Sequence, residues 1–183
     1  MHAITAANLR NAYGGESMAH MRYKIWGDRA EGEGFKNIAR LFRAIASAET
    51  IHATNHFRAL QGQLGDFLCA SMAVFGLTNS SQNLQGGING ETFEVTEMYP
   101  SYLENAKTQG EKDAQLSFLY ALSAEKTHAD LFNKAKQAVD SAGRDMELGP
   151  VSVCQTCGWT HEGVLPDKCP ICGATRDKFQ TFA

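Results

Sequence analysis

The chain has 183 residues, of which 43% are apolar and 20% charged, and its formal net charge is −3. This composition is typical of one or two globular domains and excludes a disordered or collagen-like chain. The slight acidic excess argues against a nucleic-acid-binding surface. The longest apolar run, residues 67–77, is too short to span a bilayer. The N-terminus lacks a basic segment followed by an apolar stretch, so we expect no signal peptide and a cytoplasmic location.

The cysteines and prolines divide the chain into two parts. Four of the five cysteines and three of the four prolines lie in the last fifth of the sequence. Gly143 and the pair Gly149-Pro150 punctuate the border between the two parts. We therefore predict a first domain over residues 1–145 and a second domain over residues 150–183.

The first domain is predicted to consist of four long helices. Apolar side chains and potential metal ligands recur every three or four residues in four segments, which favours helices. The segments are about 5–31, 38–62, 84–102 and 118–132. Short connections join the first two and the last two, whereas about 20 residues separate the second from the third. This pattern predicts an all-α ferritin-like four-helix bundle with one long crossover.

An imperfect internal repeat relates the two predicted helical hairpins. Residues 41–53 match residues 117–129 at six of thirteen positions with an offset of 76, and Glu16 aligns with Glu91 with an offset of 75. Each half carries one glutamate on its first helix and a Glu-x-x-His pair on its second. Residues three apart share one face of a helix, so each pair can reach one centre. The six residues are Glu16, Glu49, His52, Glu91, Glu125 and His128.

All six side chains lie on the apolar faces of the predicted helices. A carboxylate removed from water without a partner costs several kcal/mol, or it stays protonated. Four carboxylates at one level of a core also repel one another. Two divalent or trivalent cations would remove both problems, and mixed oxygen and imidazole ligands suit iron or manganese. The pattern therefore predicts a dinuclear metal site of the kind found in ferritin-like di-iron proteins.

Glu94 breaks the symmetry of the repeat. It follows Glu91 by three residues and can share its face, whereas its partner in the first half is Ala19. We interpret Glu94 as an added ligand, so that five carboxylates and two histidines surround two metals. Spacing alone leaves Tyr23 and Tyr99 either as hydrogen-bond partners of the site carboxylates or as ordinary core tyrosines.

Three further residues receive structural interpretations. His56 lies on the ligand stripe of its helix, but we interpret both His56 and His20 as hydrogen-bonded core histidines. Cys69 is interpreted as a small buried hydrophobe. The apolar segment around Cys69 is expected to pack on the bundle or at a subunit interface.

The second domain contains two Cys-x-x-Cys-Gly knuckles, formed by Cys154 and Cys157 and by Cys169 and Cys172. Each knuckle turns so that both thiolates reach one metal, and the glycines permit the tight backbone. The motif predicts a tetrahedral four-sulfur site that zinc and iron would both accept. Disulfides are the alternative, which the missing secretion signal argues against.

Further residues of this domain point to a resemblance to one known family. The tryptophan after the first knuckle is followed by the pairs Glu162-Gly163 and Pro166-Asp167 and by Phe179. These features resemble a rubredoxin, whose metal is a single iron, whereas generic zinc ribbons usually lack the intervening pairs. The whole chain resembles the rubrerythrin and nigerythrin family, and residues 90–100 (Gly-Glu-x-x-Glu-x-x-Glu-Met-Tyr-Pro) are similar to its third-helix motif.

The resemblance implies a role for each ligand. The bridging ligands of two irons would be Glu49 and Glu125. The terminal ligands would be Glu16 and Glu94 on one iron, and Glu91 and His128 on the other. One iron would be held by Cys154, Cys157, Cys169 and Cys172. The catalytic residues would be Glu94, His52, Tyr23 and Tyr99: on reduction the iron held by Glu94 would move toward His52, and the tyrosines would hydrogen-bond near the site.

The implied function is reduction of hydrogen peroxide to water in defence against oxidative stress, with electrons passing through the rubredoxin-type iron. The resemblance implies a donor such as rubredoxin or an NAD(P)H-dependent reductase. It also implies a homodimer or higher homo-oligomer paired head to tail, because the long helices would separate the two sites of one chain. Two alternatives are a ferritin-like ferroxidase or oxygen reductase, and a zinc-ribbon binding module on a structural bundle. We expect no nucleic-acid or membrane partner.

Overall fold

The computed structural model describes all residues from Met1 to Ala183 and confirms the four-helix bundle. Helices α1, Ala3–Gly32, and α2, Lys36–Ala59, form the first hairpin. The third helix consists of α3, Ser80–Phe93, a π-helical segment, Glu94–Met98, and α4, Tyr99–Thr108. Helix α5, Lys112–Ala142, completes the second hairpin. None of these helices combines the length and apolar character that crossing a membrane requires.

Local residues define several helix ends. The side chain of Asn79 accepts a hydrogen bond from the backbone N–H of Gln82 and so caps the start of α3. Helix α5 ends at Gly143, whose φ of +58° is the left-handed conformation that glycine adopts readily. Within α3, a Cβ on Gly87 would lie 3.0 Å from the ring of Phe132. Glycine is tolerated inside this helix because a neighbouring helix approaches it closely.

The π-helical segment accounts for the change of offset in the internal repeat. Glu91 follows Glu16 by 75 residues, whereas Tyr99 follows Tyr23 by 76. The segment Glu94–Met98 lies between Glu91 and Tyr99. A π-helical turn inserts a residue into an α-helix and is frequent at functional sites. The inserted residue therefore restores the alignment of the two halves beyond Glu94.

The apolar core is divided into two clusters with the predicted ligands between them. One cluster contains Tyr23, Trp26, Phe42 and Phe132. The other cluster contains Leu9, Met98, Tyr99 and Phe118. Each fully buried large apolar side chain contributes roughly 1.5–3 kcal/mol of burial free energy. The two clusters thus stabilise the helices on both sides of a layer that is rich in charged groups.

The crossover between α2 and α3 runs along the outside of the bundle, and it corrects one prediction. Leu68 and Phe75 are 90% and 87% exposed. Cys69 is also exposed, and its thiol donates to the backbone carbonyl of Arg10, so the prediction of a buried hydrophobe is wrong. The extended crossover covers α1 from outside, so its apolar residues do not enter the core.

The C-terminal domain is a small antiparallel sheet that packs on α2. Its strands are β1, Val151–Cys154, β2, Thr160–Glu162, and β3, Phe179–Phe182, in the order β2-β1-β3. Val151 and Val153 of β1 pack against Ala44 and Ala48 of α2. The predicted boundary between residues 145 and 150 stays a prediction, and it lies between the end of α5 and the start of β1.

Candidate metal centres

Six predicted ligands from the four helices meet at the middle of the bundle. Their side chains are at most 2% exposed. Two groups of four ligand atoms each lie within 4.8 Å of one another. The first group is Glu16, Glu49, His52 and Glu125, and the second is Glu49, Glu91, Glu125 and His128. Because Glu49 and Glu125 belong to both groups, the geometry is that of two metal positions with two shared carboxylates.

The unpaired atoms of this cluster fit a pair of cations. His52 Nδ1 lies 2.9 Å from Glu49 Oε2 and 2.7 Å from Glu125 Oε1 but forms a hydrogen bond with neither. Ligand atoms 2.1 Å from a metal and at right angles are about 3 Å apart. Other buried atoms without a hydrogen-bond partner are Glu16 Oε2, both carboxylate oxygens of Glu49, Glu91 Oε2 and Glu125 Oε1. Burying these atoms would be costly without a cation to bind them.

The pKa shifts in the cluster also indicate that the buried carboxylates need compensating positive charge. Burial and the charges of Glu125 and Glu49 raise the pKa values of Glu16 and Glu91. Burial lowers the pKa of His128, but the neighbouring carboxylates outweigh it and raise that pKa to about 9. Protons therefore compensate part of the carboxylate charge in the absence of metal.

Both ligand histidines are oriented by the C-terminal domain. His52 Nε2 donates to the carbonyl oxygen of Cys157 at 3.1 Å. His128 Nε2 lies 2.9 Å from the hydroxyl of Thr160, which donates its own hydrogen to the carbonyl of Gly158 and so accepts from the histidine. Each ring thus directs Nδ1 at the carboxylates, and a metal-binding histidine is commonly held in this way through its other nitrogen.

These contacts correct the expectation that the two sites of one chain lie far apart. The small side chains of Ala44 and Ala48 let β1 lie directly on α2. Gly158 has a φ of +81°, and a Cβ there would lie 2.1 Å from His52 Nε2. The domain can approach the ligand histidine this closely only because glycine follows Cys157. Oligomerisation itself stays a prediction.

Glu94 lies beside the two groups of ligand atoms rather than within them. It is half-buried and begins the π-helical segment. Burial and the charge of Glu16 raise its pKa. His52 thus lies within the first group of ligand atoms, and Glu94 lies outside both groups. The role of Glu94 as a ligand stays a prediction.

The two predicted tyrosines form hydrogen bonds with ligand carboxylates. Tyr23 donates to Glu91 at 2.5 Å, and Tyr99 donates to Glu16. Each tyrosine therefore holds the glutamate of the opposite half of the repeat. Of the two alternatives that spacing left open, the structure shows the hydrogen-bonded one. Burial and the adjacent carboxylates raise the pKa values of both phenols.

His56 is a hydrogen-bonded core histidine, as predicted, and it reveals a residue that the sequence interpretation missed. Its Nδ1 lies 2.7 Å from the hydroxyl of Ser117, and its Nε2 lies 3.0 Å from the hydroxyl of Tyr99. Burial and the charge of His52 lower its pKa to about 3. Ser117 could have been found from the repeat, because the apolar Leu41 occupies its aligned position.

The prediction that His20 is a hydrogen-bonded core histidine is confirmed in part. His20 Nδ1 donates a hydrogen bond to the carbonyl oxygen of Ala46, 2.7 Å away, and lies near the hydroxyl of Thr50. It is hydrogen-bonded as predicted, although it is half-buried rather than enclosed in the core. It does not belong to either group of ligand atoms.

The four cysteines of the C-terminal domain form the second centre. The Sγ atoms of Cys154 and Cys172 are 3.6 Å apart, and those of Cys157 and Cys169 are 3.5 Å apart. A tetrahedral metal with 2.3 Å bonds to sulfur separates its ligands by roughly 3.8 Å. All the cysteines are free thiols, so the disulfide alternative is wrong. A hydrogen bond from Cys157 lowers the pKa of Cys154 to about 5, which favours the thiolate that a metal requires.

The fold and the two centres together define a class of protein. A ferritin-like bundle with two shared carboxylates and two Glu-x-x-His pairs holds a di-iron site. A three-stranded domain with two cysteine knuckles holds one iron, as a rubredoxin does.

Comparison with known proteins identifies the family. The Rubrerythrin family model matches residues 7–136, and the model for the rubredoxin-like domain of rubrerythrin matches residues 153–180. This chain belongs to the rubrerythrin family.

Similar proteins cover nearly the whole chain. Rubrerythrin-2 of Clostridium acetobutylicum is 52% identical over 181 residues, which cover 99% of this chain and 98% of that protein. Nigerythrin of Nitratidesulfovibrio vulgaris is 32% identical, with 97% of this chain and 86% of that protein covered. The fully reduced, all-ferrous structure of nigerythrin matches with a TM-score of 0.87 at 31% identity and covers 100% of this chain and 88% of that one.

In the metal-free protein, the free energy of unfolding of the bundle is expected to fall as the pH rises from about 6.5 to about 9. The pKa of His128 is raised, so its stabilising contribution is complete below about 6.5 and is lost as the pH passes about 9. The raised pKa values of Glu16 and Glu91 act in the same direction, because folding favours their protonated forms. Thermal unfolding followed by the helical circular dichroism signal would measure this. An equal pH dependence in metal-loaded protein would contradict it.

Proposed function

We propose that this protein is a non-haem iron peroxidase that reduces hydrogen peroxide to water at the bundle centre and protects the cell from oxidative damage. The observation that carries the proposal is the contact between the cysteine knuckle and the ligand His52, 3.1 Å from Cys157 O to Nε2. Reduction of one peroxide consumes two electrons and two protons and yields two waters. When bound, the di-iron pair supplies both electrons at once, and the four-cysteine iron replaces them one at a time.

The side chains of the bundle prepare the centre for this reaction. The ligands are at most 2% exposed, so bulk water is largely excluded from the reacting groups. Tyr23 and Tyr99 donate to Glu91 and Glu16, which keeps these two carboxylates oriented toward the metal positions. The ring orientation of His52 is maintained from the opposite side by the carbonyl of Cys157.

We further propose that Glu94 and His52 exchange as ligands during the catalytic cycle. His52 is already directed at the shared carboxylates, while Glu94 stands beside them on the π-helical segment. A carboxylate favours the more highly charged ferric state, and a neutral imidazole favours the ferrous state. The same metal position can thereby bind iron in both the ferric and the ferrous state.

The proposal includes an external electron donor and a reducing compartment. Cys172 is the least buried of the four cysteine ligands, so its knuckle is the accessible side for a rubredoxin or for an NAD(P)H-dependent reductase. We propose a cytoplasmic location, because a reducing compartment keeps the four thiols free to bind metal. We propose a homodimer or higher homo-oligomer as the working form.

Rapid mixing of the fully reduced protein with peroxide and, separately, with dioxygen tests the function. We expect peroxide to oxidise the bundle centre faster than dioxygen does, with water as the product. The visible spectrum would follow both centres, and metal analysis would establish about three irons per chain, as two centres of this kind require. A faster reaction with dioxygen would instead support a ferroxidase or oxygen reductase.

Glu94→Ala is expected to retain the fold and most metal binding but to slow peroxide turnover. The repeat places Ala19 at the corresponding position, so the scaffold accepts alanine there. Loss of one member of the proposed exchanging pair would leave the oxidised state without its carboxylate. Steady-state peroxide consumption and metal content would be measured on the same sample. Turnover equal to that of the unmodified protein would refute the role of Glu94.

Gly158→Ala is expected to slow re-reduction of the bundle centre about tenfold or more relative to Gly173→Ala. Both glycines follow a cysteine knuckle and have similar positive φ values, +81° and +75°, so both alanines carry similar backbone strain. Only at position 158 does the Cβ meet His52, whereas nothing lies within 4 Å at position 173. Stopped-flow absorbance after addition of reductant would compare the two variants. Equal rates would show that this contact does not serve electron delivery.

A further inference from the structure

Three polar side chains form a continuous hydrogen-bonded chain between a surface pocket and the ligand Glu16. Ser117 Oγ lies 2.7 Å from His56 Nδ1, His56 Nε2 lies 3.0 Å from the hydroxyl of Tyr99, and Tyr99 donates to Glu16 Oε1. Ser117 lines a pocket of about 530 Å³ between α2 and α5. The exposed carboxylate of Asp113, one helical turn before Ser117, lines the same pocket. The chain therefore connects a solvent-facing surface with the buried centre.

The direction of every hydrogen bond in this chain follows from its last member. Tyr99 has one hydroxyl hydrogen and donates it to Glu16, so its oxygen must accept from His56 Nε2. A neutral imidazole with its hydrogen on Nε2 has an acceptor at Nδ1. The hydroxyl of Ser117 therefore donates to His56. All three donors point from the pocket toward Glu16.

The internal repeat shows that the fold does not need this polar chain for packing. With the offset of 76, His56 aligns with Phe132 and Ser117 aligns with Leu41, both of which are fully buried apolar residues. On that side of the bundle, the ring of Tyr23 packs against Phe132 at 5.2 Å, and its hydroxyl bonds only to its glutamate. On one side of the bundle these two positions are therefore filled by apolar side chains. On the other side they are filled by His56 and Ser117, whose burial costs free energy unless their polar atoms are hydrogen-bonded.

We propose that Ser117, His56 and Tyr99 conduct protons from the pocket to the carboxylate of Glu16. This inference rests on the proposed function, because peroxide reduction breaks one O–O bond and forms new O–H bonds with two protons from solvent. In one passage Ser117 takes a proton from water and gives its own to His56 Nδ1. His56 releases its Nε2 proton to Tyr99, which passes its hydroxyl proton to Glu16. Ser117 and His56 are positioning residues for this transfer, and neither touches the metal positions.

The substitutions Ser117→Thr and Ser117→Val provide a matched test. Threonine and valine have the same shape, so packing strain is equal, and only threonine retains the hydroxyl. We expect Ser117→Val to slow proton uptake and peroxide reduction about tenfold or more, and Ser117→Thr to stay within about twofold of the unmodified protein. A pH-indicator dye in stopped-flow mixing of the reduced holoenzyme with peroxide would report proton uptake. Equal rates in the two variants would overturn the proposal.

A second measurement does not depend on turnover. Nitrogen-15 NMR of the full-length, zinc-loaded protein, which is diamagnetic, would identify the tautomer of His56. We expect a neutral ring with its hydrogen on Nε2, and slower exchange of that hydrogen with solvent deuterium in Ser117→Val than in Ser117→Thr. A hydrogen on Nδ1, or equal exchange in both variants, would contradict the relay. If the unmodified protein failed to reduce peroxide, the proposed function would fail, and the NMR result would still decide the relay.

Discussion

The constraint on which the rest of this structure depends is the burial of four carboxylates and two imidazoles at one level of a helical bundle. Such a layer is unfavourable in a hydrocarbon core unless cations neutralise it. Apolar clusters on both sides of the layer supply the burial free energy that keeps the helices together around it. Tyr23 and Tyr99 then occupy carboxylate oxygens that the metals would leave unpaired. The apolar clusters and the two tyrosines thus compensate for the cost of burying this layer.

The two halves of the repeat surround the layer of carboxylates and imidazoles differently. The π-helical segment inserts one residue after Glu91 and brings Glu94 beside the centre in one half only. In the same half, the hydroxyl of Tyr99 is hydrogen-bonded to His56 as well as to Glu16, whereas Tyr23 bonds only to Glu91 and its ring lies against aromatic rings. The repeated hairpin supplies the symmetric ligand set, and the differences between its halves make the two metal positions chemically unequal. Such an unequal pair suits the proposed ligand exchange at one metal position and the proposed proton delivery to Glu16.

Periodicity and spacing predicted most of the fold and the side chains that meet at the two centres, because those features depend on residues close together in sequence. The Glu-x-x-His pairs and the cysteine knuckles are local patterns, and the repeat aligned them. The docking of the second domain was not predictable in this way, since it depends on complementary surfaces over a separation of about 100 residues. Gly158 and Thr160 acquire their roles only through that docking. Cys69 was misplaced because an apolar segment can cover a bundle from outside as well as fill it.

The docked domain couples the two metal centres through direct structural contacts. Cys157 and Thr160 belong to the segment that folds around the four-cysteine metal, and both orient ligand histidines of the bundle. A small metal domain of this size generally depends on its ion for its fold. Loss of that ion would therefore release the rings of His52 and His128 in addition to ending the proposed electron supply. Zinc in the four-cysteine site would preserve the ring orientation, because it accepts the same tetrahedral geometry, yet it could not carry an electron. The positioning of the histidines and the proposed electron transfer are thus physically separable roles of the domain.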